Sequence, residues 1–425
     1  MSKALYKNFS DIARIVKGRS PGQLVIQYTD ACNATCPQCE MSVQNRFKRS
    51  RLGNDKVKKI IDASCEAGIK AISFTGGEPF LYFEDLLGLI DYAGKRGIDY
   101  IRTGTNGFIF MNSSGTDFKP RIERMAEKLA KTRLRNFWIS IDSAIPEIHE
   151  RMRGLPGVIA GIEKALPIFH SFGIFPAANL GINRNINGAA TADSILDGSD
   201  PDAFYDEYKK AFDGFYSFVK SIGFSMANAC YPMSVDKNEG RLNPLYAATS
   251  QNPVVSFSRN EKIYVFKALF DTIPGHRSEI RIFTPRTNLF AAVKELTGNS
   301  GYSYPCRGGV DYFFISTKDC NAYPCGYRGD ENLGRYWDFD CRKIKSETFC
   351  RKCEWECFRD PSELMGPLLN AFGRPLSTAG KFIRDKEYTG LWLEDIRYYR
   401  SCRFFNGRIP PDYQKLKKFN KKAAF

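Results

Sequence analysis

Three cysteines, Cys32, Cys36 and Cys39, follow directly on the apolar run Leu24-Val25-Ile26-Gln27-Tyr28. A β-like run that empties into a C-x3-C-x2-C loop confines three thiols to one short turn. Thiolates this close repel one another, and a shared polynuclear ion relieves the repulsion. A [4Fe–4S] cube has four corners, so three local cysteines leave one iron open to an outside N/O chelate. A zinc knuckle would need a fourth Cys or His close by. The chain has only three histidines (His149, His170 and His276), and the next cysteine, Cys65, falls on the inner face of a predicted helix.

The remaining cysteines reinforce the metal reading. Of 13 in 425 residues, eight lie between Cys306 and Cys402, and only Cys65 and Cys230 stand apart from the two groups. The N-terminus has no apolar core of signal-peptide type, so disulfides explain this count poorly and a cytoplasmic location is expected. No run approaches the roughly 18 apolar residues of a membrane span. The 43% hydrophobic and 26% charged composition excludes a disordered, collagenous or coiled-coil chain. The net charge of +15 sits at the ends: residues 1–53 and 401–425 each carry +6. Basic ends on a near-neutral body suit an acidic substrate or polyanion, or serve only as solubilising tails. No tract interleaves aromatics and cations regularly, so nucleic acid is a permitted but unfavoured partner.

From residue 22 to about 230, short β-like runs alternate with helical patterns. Strands are expected near 24–28, 71–74, 98–102, 137–141, 174–182 and 224–230. Helices are expected near 54–67, 83–94, 119–131, 157–171 and 204–221. This repetition predicts parallel β/α units. Six units fall short of a closed eightfold barrel, and the expected α/β fold is a partial (β/α)6 TIM-like barrel with functional loops at the C-terminal strand ends. The expected organisation is a basic segment over 1–20, the barrel over 21–235 and a linker or insertion over 236–300, inside which a helix near 261–270 and a strand over 279–283 are expected. A small cysteine-rich domain over 301–360 and a helical basic extension over 361–425, fraying at its lysine-rich end, complete it.

Further motifs stand at successive expected strand ends. Thr75-Gly76-Gly77-Glu78-Pro79 ends the second, Thr105-Asn106-Gly107 the third, and Ser140-Ile141-Asp142-Ser143 the fourth, followed by His149-x3-Arg153-Gly154. Together with the cysteine loop, this series resembles the radical SAM superfamily. Gln38 departs from the aromatic residue usual before the third cysteine. The resemblance implies a [4Fe–4S] cluster on Cys32, Cys36 and Cys39 and S-adenosylmethionine at its open iron. Gly76, Gly77, Glu78, Pro79, Asn106, Ser140, Asp142, Arg153 and Asn183 are the cofactor-binding candidates. It also implies reductive cleavage of the sulfonium, hydrogen abstraction from a substrate, and an electron donor such as flavodoxin or ferredoxin under anaerobic conditions.

Cys306-x18-Cys325-x24-Cys350-x2-Cys353, with Cys357 close behind, spans a stretch that reads as a β-hairpin with a cysteine after each arm. It resembles the SPASM and twitch extensions of that superfamily, which hold auxiliary [4Fe–4S] clusters. One cluster on Cys306, Cys325, Cys350 and Cys353 is the first expectation, with Cys357 able to replace a member. Cys320, Cys341 and Cys402 are further candidates should a second cluster be held, and zinc is the alternative for Cys350-x2-Cys353. Cys230, ending strand six, reads as a core thiol or as a hydrogen-atom donor of the kind radical epimerases use.

Three functional branches follow from the resemblance: oxidation or crosslinking of a peptide, dehydrogenation of a small molecule, and modification of a larger acidic metabolite. Only 31 residues precede Cys32, which leaves no room there for a peptide-leader domain of about 80 residues and lowers the first branch. A non-catalytic iron–sulfur electron carrier or redox sensor would explain the cysteines but leave Gly76–Glu78, Ser140 and Arg153 without a purpose.

Overall fold

The computed structural model describes residues 12–43, 49–186, 200–234, 242–246, 248–373 and 375–420. The first eleven residues of the basic N-terminal segment, and Lys421 and Lys422 of the basic end, lie outside them. The six expected strands are β1 (Gly22–Thr29), β2 (Ile69–Gly76), β3 (Tyr100–Thr105), β4 (Leu134–Ser140), β5 (Ala177–Gly181) and β6 (Met226–Cys230). Between them run α1 (Asn54–Glu66), α2 (Phe83–Arg96), α3 (Phe118–Lys131), α4 (Pro146–Arg153), α5 (Val158–Ser171) and α6 (Pro201–Ser221). All six strands pair in parallel in sequence order, and the sheet stays open.

Alternation sorts the two faces. Leu24, Ile26, Ile72, Phe74, Ile101, Phe137, Ile139, Ala178 and Leu180 point to the helices and are fully or almost fully buried. They meet Val57, Ile60 and Ile61 of α1, Ile90 of α2 and Ile162 of α5 in one continuous core. The opposite face carries Thr75, Arg102, Ser140, Asn179, Asn228 and Cys230, which stay partly accessible. A parallel strand normally buries both faces; here the inner face is polar and open to ligands.

The stretch expected as a linker extends this sheet. α7 (Arg259–His276) starts on a capping box in which the Ser258 side chain accepts from the Glu261 N–H while Glu261 accepts from the Ser258 N–H. It leads to β7 (Arg281–Ile282), which pairs in parallel with β6, and then to α8 (Arg286–Leu296). The cysteine-rich hairpin, β8 (Tyr312–Ile315) and β9 (Ala322–Tyr323), joins the opposite edge. β8 lies parallel to β1, Val25 opposite Phe314, so one nine-stranded sheet runs β7-β6-β5-β4-β3-β2-β1-β8-β9.

α9 (Glu356–Gly373), α10 (Pro375–Arg384) and α11 (Lys386–Ser401) follow. The end expected to fray packs instead: Phe405 and Leu416 are buried with Tyr398, Ala177 and Met226. Gly407 N–H donates to Arg135 O (3.0 Å) and its carbonyl accepts from Phe175 N–H (2.7 Å). The apolar residues face the strand starts while the lysines face out, a division that a lysine count does not reveal. Among the described residues no helix is long and apolar enough to cross a membrane.

Candidate functional site

The cysteine loop is fixed at its base. Asp30 is fully buried and accepts from the Ser50 N–H (2.6 Å) and Ser50 Oγ–H (2.8 Å). Gly77 and Glu78 donate their N–H groups to Thr29 O and Ala31 O, both at 2.8 Å. A Cβ on Gly76, whose φ is +137°, would stand 1.9 Å from Thr29 O, and one on Gly77 would stand 2.2 Å from Ala31 O. Both positions therefore demand glycine, because the end of β2 lies directly against the entry to the loop.

Glu78 is fully buried and turned into the strand ends. Its carboxylate accepts from Phe80 N–H (2.9 Å) and Asn106 N–H (2.5 Å). Burial pushes its carboxyl up to about 7, against the pull of those donors. Pro79 opens the short 3-10 turn Pro79–Tyr82. The Asn106 side chain donates to Asn33 Oδ1 (2.9 Å) and stands 3.7 Å from Cys32 Sγ. Asn106 thus touches the trio directly, one strand away from Glu78.

A second clamp comes from β4 and α4. Asp142 is buried, and Arg153 meets it with Nε at 2.8 Å and Nη2 at 2.9 Å. Burial alone would raise the Asp142 carboxyl; the Arg153 charge overrides it and holds the group below its usual range. His149 Nδ1 accepts from the Asp142 N–H (3.0 Å). Burial and the nearby Arg153 push that imidazole down to about 4, so it stays neutral. The Arg153 carbonyl accepts from Thr35 N–H (2.9 Å), and a Cβ on Gly154 would stand 2.3 Å from Thr35 Oγ1. Gln38 completes the clamp by donating from Nε2 to Asp142 Oδ2 (2.9 Å). Sequence reasoning saw only a missing aromatic at Gln38, because its partner lies 104 residues on. Asn183 is fully buried and spends its amide on Asp142 O, Gly181 O and Asn185 N–H. Ser140 stays half-buried on the inner face.

The second cysteine group separates into two environments. Cys306, Cys325, Cys350 and Cys353 lie within charge–charge reach of one another. Cys306 N–H donates to Cys350 O (2.8 Å), while Gly308 and Tyr327 aim N–H groups at Cys306 Sγ and Cys325 Sγ, both 3.4 Å. Burial pushes the Cys325 thiol up to about 12. The buried Arg359 guanidinium faces Cys306, Cys353 and Cys350. Cys357 turns the other way: its Sγ donates to Glu356 Oε1 (3.5 Å), and Glu356 also bonds Cys230. Cys230 reaches Asn179 Oδ1 at 3.4 Å. Cys353 precedes the helix that begins at Glu356, and the first turn of α9 directs Cys357 to the inner face of the barrel.

Cys320, Cys341 and Cys402 do not join the quartet. Cys320 packs on the helix side of the sheet near Lys56, Cys341 beside Tyr336 and Arg19, and Cys402 against Tyr398. Among the described residues no three Cys, His, Asp or Glu side chains close on a single metal ion. The trio and the quartet are open arrays of thiols. The trio fits a cluster with three protein ligands: no fourth Cys is held beside it, since Cys65 Sγ is bonded to Arg96 O. Burial pushes the Cys32 and Cys36 thiols up, Cys36 to about 12, and the Arg153 guanidinium beside them pulls the other way.

Residues 26–182 match the family model described as Radical SAM superfamily. The chain is 22% identical over 344 residues to the AdoMet-dependent heme synthase of Nitratidesulfovibrio vulgaris, across 80% of this chain and 82% of that protein. It is 30% identical over 152 residues to the probable GTP 3',8-cyclase of Thermococcus kodakarensis, across 35% of this chain and 45% of the relative, less than half its length. Among solved structures, native anSMEcpe with bound AdoMet is similar at a TM-score of 0.47 and 16% identity, over 84% of this chain and 99% of that one. Streptococcus suis SuiB bound to S-adenosylmethionine is similar at 0.47 and 17%, over 76% and 66%.

Proposed function

We propose that this chain, which belongs to the radical SAM superfamily, binds a [4Fe–4S] cluster on Cys32, Cys36 and Cys39 with S-adenosylmethionine at the open iron, and modifies a substrate held against the inner face of its barrel. When bound, the cluster and nucleotide supply one-electron cleavage of the sulfonium and abstraction of a substrate hydrogen. The observation that carries this reading is the triple clamp on the cysteine loop, from Gly77–Glu78, Asn106 and the Asp142–Arg153 pair. A loop fixed at every turn presents three sulfurs in one orientation without reorganisation.

The residues divide the work. Asn106 donates toward Cys32 and Arg153 offsets the charge of the trio. Phe405, Tyr398 and Leu416 close the strand starts and keep water from entering there. The quartet Cys306, Cys325, Cys350 and Cys353 holds one auxiliary cluster, with Arg359 offsetting its charge. Held there, such a cluster would supply an electron acceptor or a ligand for the substrate. The substrate is a peptide or a small acidic molecule, and the donor is a flavodoxin or ferredoxin.

Anaerobic incubation with reductant and S-adenosylmethionine tests the reading. 5′-Deoxyadenosine forms with the wild type and is abolished by Cys32→Ala. A preparation that binds iron yet releases none would favour an electron carrier instead. A second reading rests on Cys230, half-buried on the inner face beside Asn179 and Asn228: returning a hydrogen atom to the substrate radical would make the reaction an epimerisation. Deuterium from solvent in the product, lost in Cys230→Ala, distinguishes it.

A further inference from the structure

Among the described residues, the inner face of the barrel carries a guanidinium whose ends hold no hydrogen bond: Arg102, within charge reach of Glu356 and Cys357 but in no ion pair. Arg102, in the middle of β3, donates from Nε to Ser73 Oγ at 2.5 Å on the neighbouring strand. Its two Nη nitrogens hold no hydrogen bond, and no carboxylate lies within ion-pair distance, among the described residues. The other inner-face arginine, Arg281 on β7, is spent on Asn406 O, Ile409 O and Ser225. Arg102 is half-buried and keeps its ends accessible.

Polar, under-bonded groups share the inner face with Arg102. Gln27 on β1 is 1% exposed, and neither its amide oxygen nor its amide nitrogen has a partner. Glu356, 5% exposed, leaves Oε2 without one. On the far wall Asn228 donates to Asn179 Oδ1 and toward Cys230 Sγ, and Asn179 Oδ1 also accepts from Cys230. A buried amide with both ends unsatisfied is costly to hold, a cost that a bound polar ligand removes. A guanidinium whose Nη donors are not hydrogen-bonded is a bidentate receptor for a carboxylate.

We propose that Arg102 anchors a carboxylate of the substrate, with Gln27 on the adjoining wall bonding the same portion of the molecule. This rests on the reading of the barrel interior as the substrate chamber and narrows the substrate to carboxylate-bearing compounds. The carboxylate belongs either to a free small acid or to an acidic side chain of a peptide.

Ligand-observed NMR on the anaerobic cluster-loaded protein tests it, with propionate and an end-capped Gly-Glu-Gly peptide as probes. Propionamide and the Gln peptide are the neutral controls. The expected result is millimolar binding of at least one acid over its amide, weakened about fivefold or more in Arg102→Met and Arg102→Gln but not in Arg342→Met, an exposed surface control. Preference for propionate assigns a small acid, and preference for the peptide assigns an acidic side chain. Equal binding of acids and amides, no binding of either acid, or undiminished acid preference in whichever neutral variant folds overturns the proposal. Release of 5′-deoxyadenosine, measured on the same samples, reports separately on the cluster and nucleotide.

Discussion

Glu78 shows how one carboxylate can couple two strand ends to solvent pH. It ionises near 7 in the fold, against an ordinary value of 4.5. Between these values the folded protein keeps a proton that the unfolded chain has released, so the folded state gains stability there. The gain is complete below about 4.5 and is lost as pH rises through about 7. Relative to Glu78→Gln, wild-type stability should therefore fall between pH 5 and 8 by on the order of 2–3 kcal/mol, as read from paired urea melts. A flat difference would mean that the carboxylate is not buried as described. Gly77 acts through shape alone. Gly77→Ala should lower iron at the trio at least twofold and leave the quartet loaded, measured as iron per chain together with the electron paramagnetic resonance of each cluster. Gln38 is the instructive position, since its amide grips Asp142 where the family places an aromatic. Gln38→Leu forfeits a hydrogen bond to a charged group, worth about 1.5–3 kcal/mol, and should speed loss of iron from the trio under a chelator.

At the scale of elements, β1 does the most. Its helix-facing side supplies Leu24, Ile26 and Tyr28 to the main core, and its inner side sends Val25 into a second core with Phe314, Trp355, Phe358, Cys306 and Cys325. The quartet therefore rests on the same strand that delivers the trio. Phe314→Ala should cost about 3–5 kcal/mol and release iron from the quartet before the trio, with hydrogen exchange rising together in β1 and β8. The six strands were legible because each shows apolar alternation bounded by Gly or polar turns, and the trio because its spacing is local. β7 was legible as a strand within 279–283, but its place beside β6 was not, since two paired residues carry no record of a partner. The pairing of β8 with β1 was not legible either, because no periodicity records a partner about 290 residues away. Cys357 packs against the same core as the quartet while its sulfur bonds Glu356: helical geometry at the start of α9, which spacing does not record, decides which way it points.

Across the whole molecule, the last segment acts as structure rather than tail. Arg277 and Asp395 form a fully buried pair, and Phe405 and Leu416 complete the floor of the barrel. Leu416→Ala should cost about 2–5 kcal/mol, and a chain ended after Ser401 should fail to hold iron at either array, as seen by gel filtration and iron analysis. A stable, iron-loaded truncation would return this segment to the status of a basic appendage. The order of the sheet has one more implication, for biosynthesis. β1 emerges early, yet the strand that covers its outer edge is made from residues 312–315. At a synthesis rate of 5–20 residues per second, that edge waits roughly 15–60 s on the ribosome with its backbone donors and acceptors unmatched. Nascent chains of this protein should therefore need chaperone shelter, and slow translation between the codons for residues 30 and 312 should raise aggregation more than slowing anywhere after them.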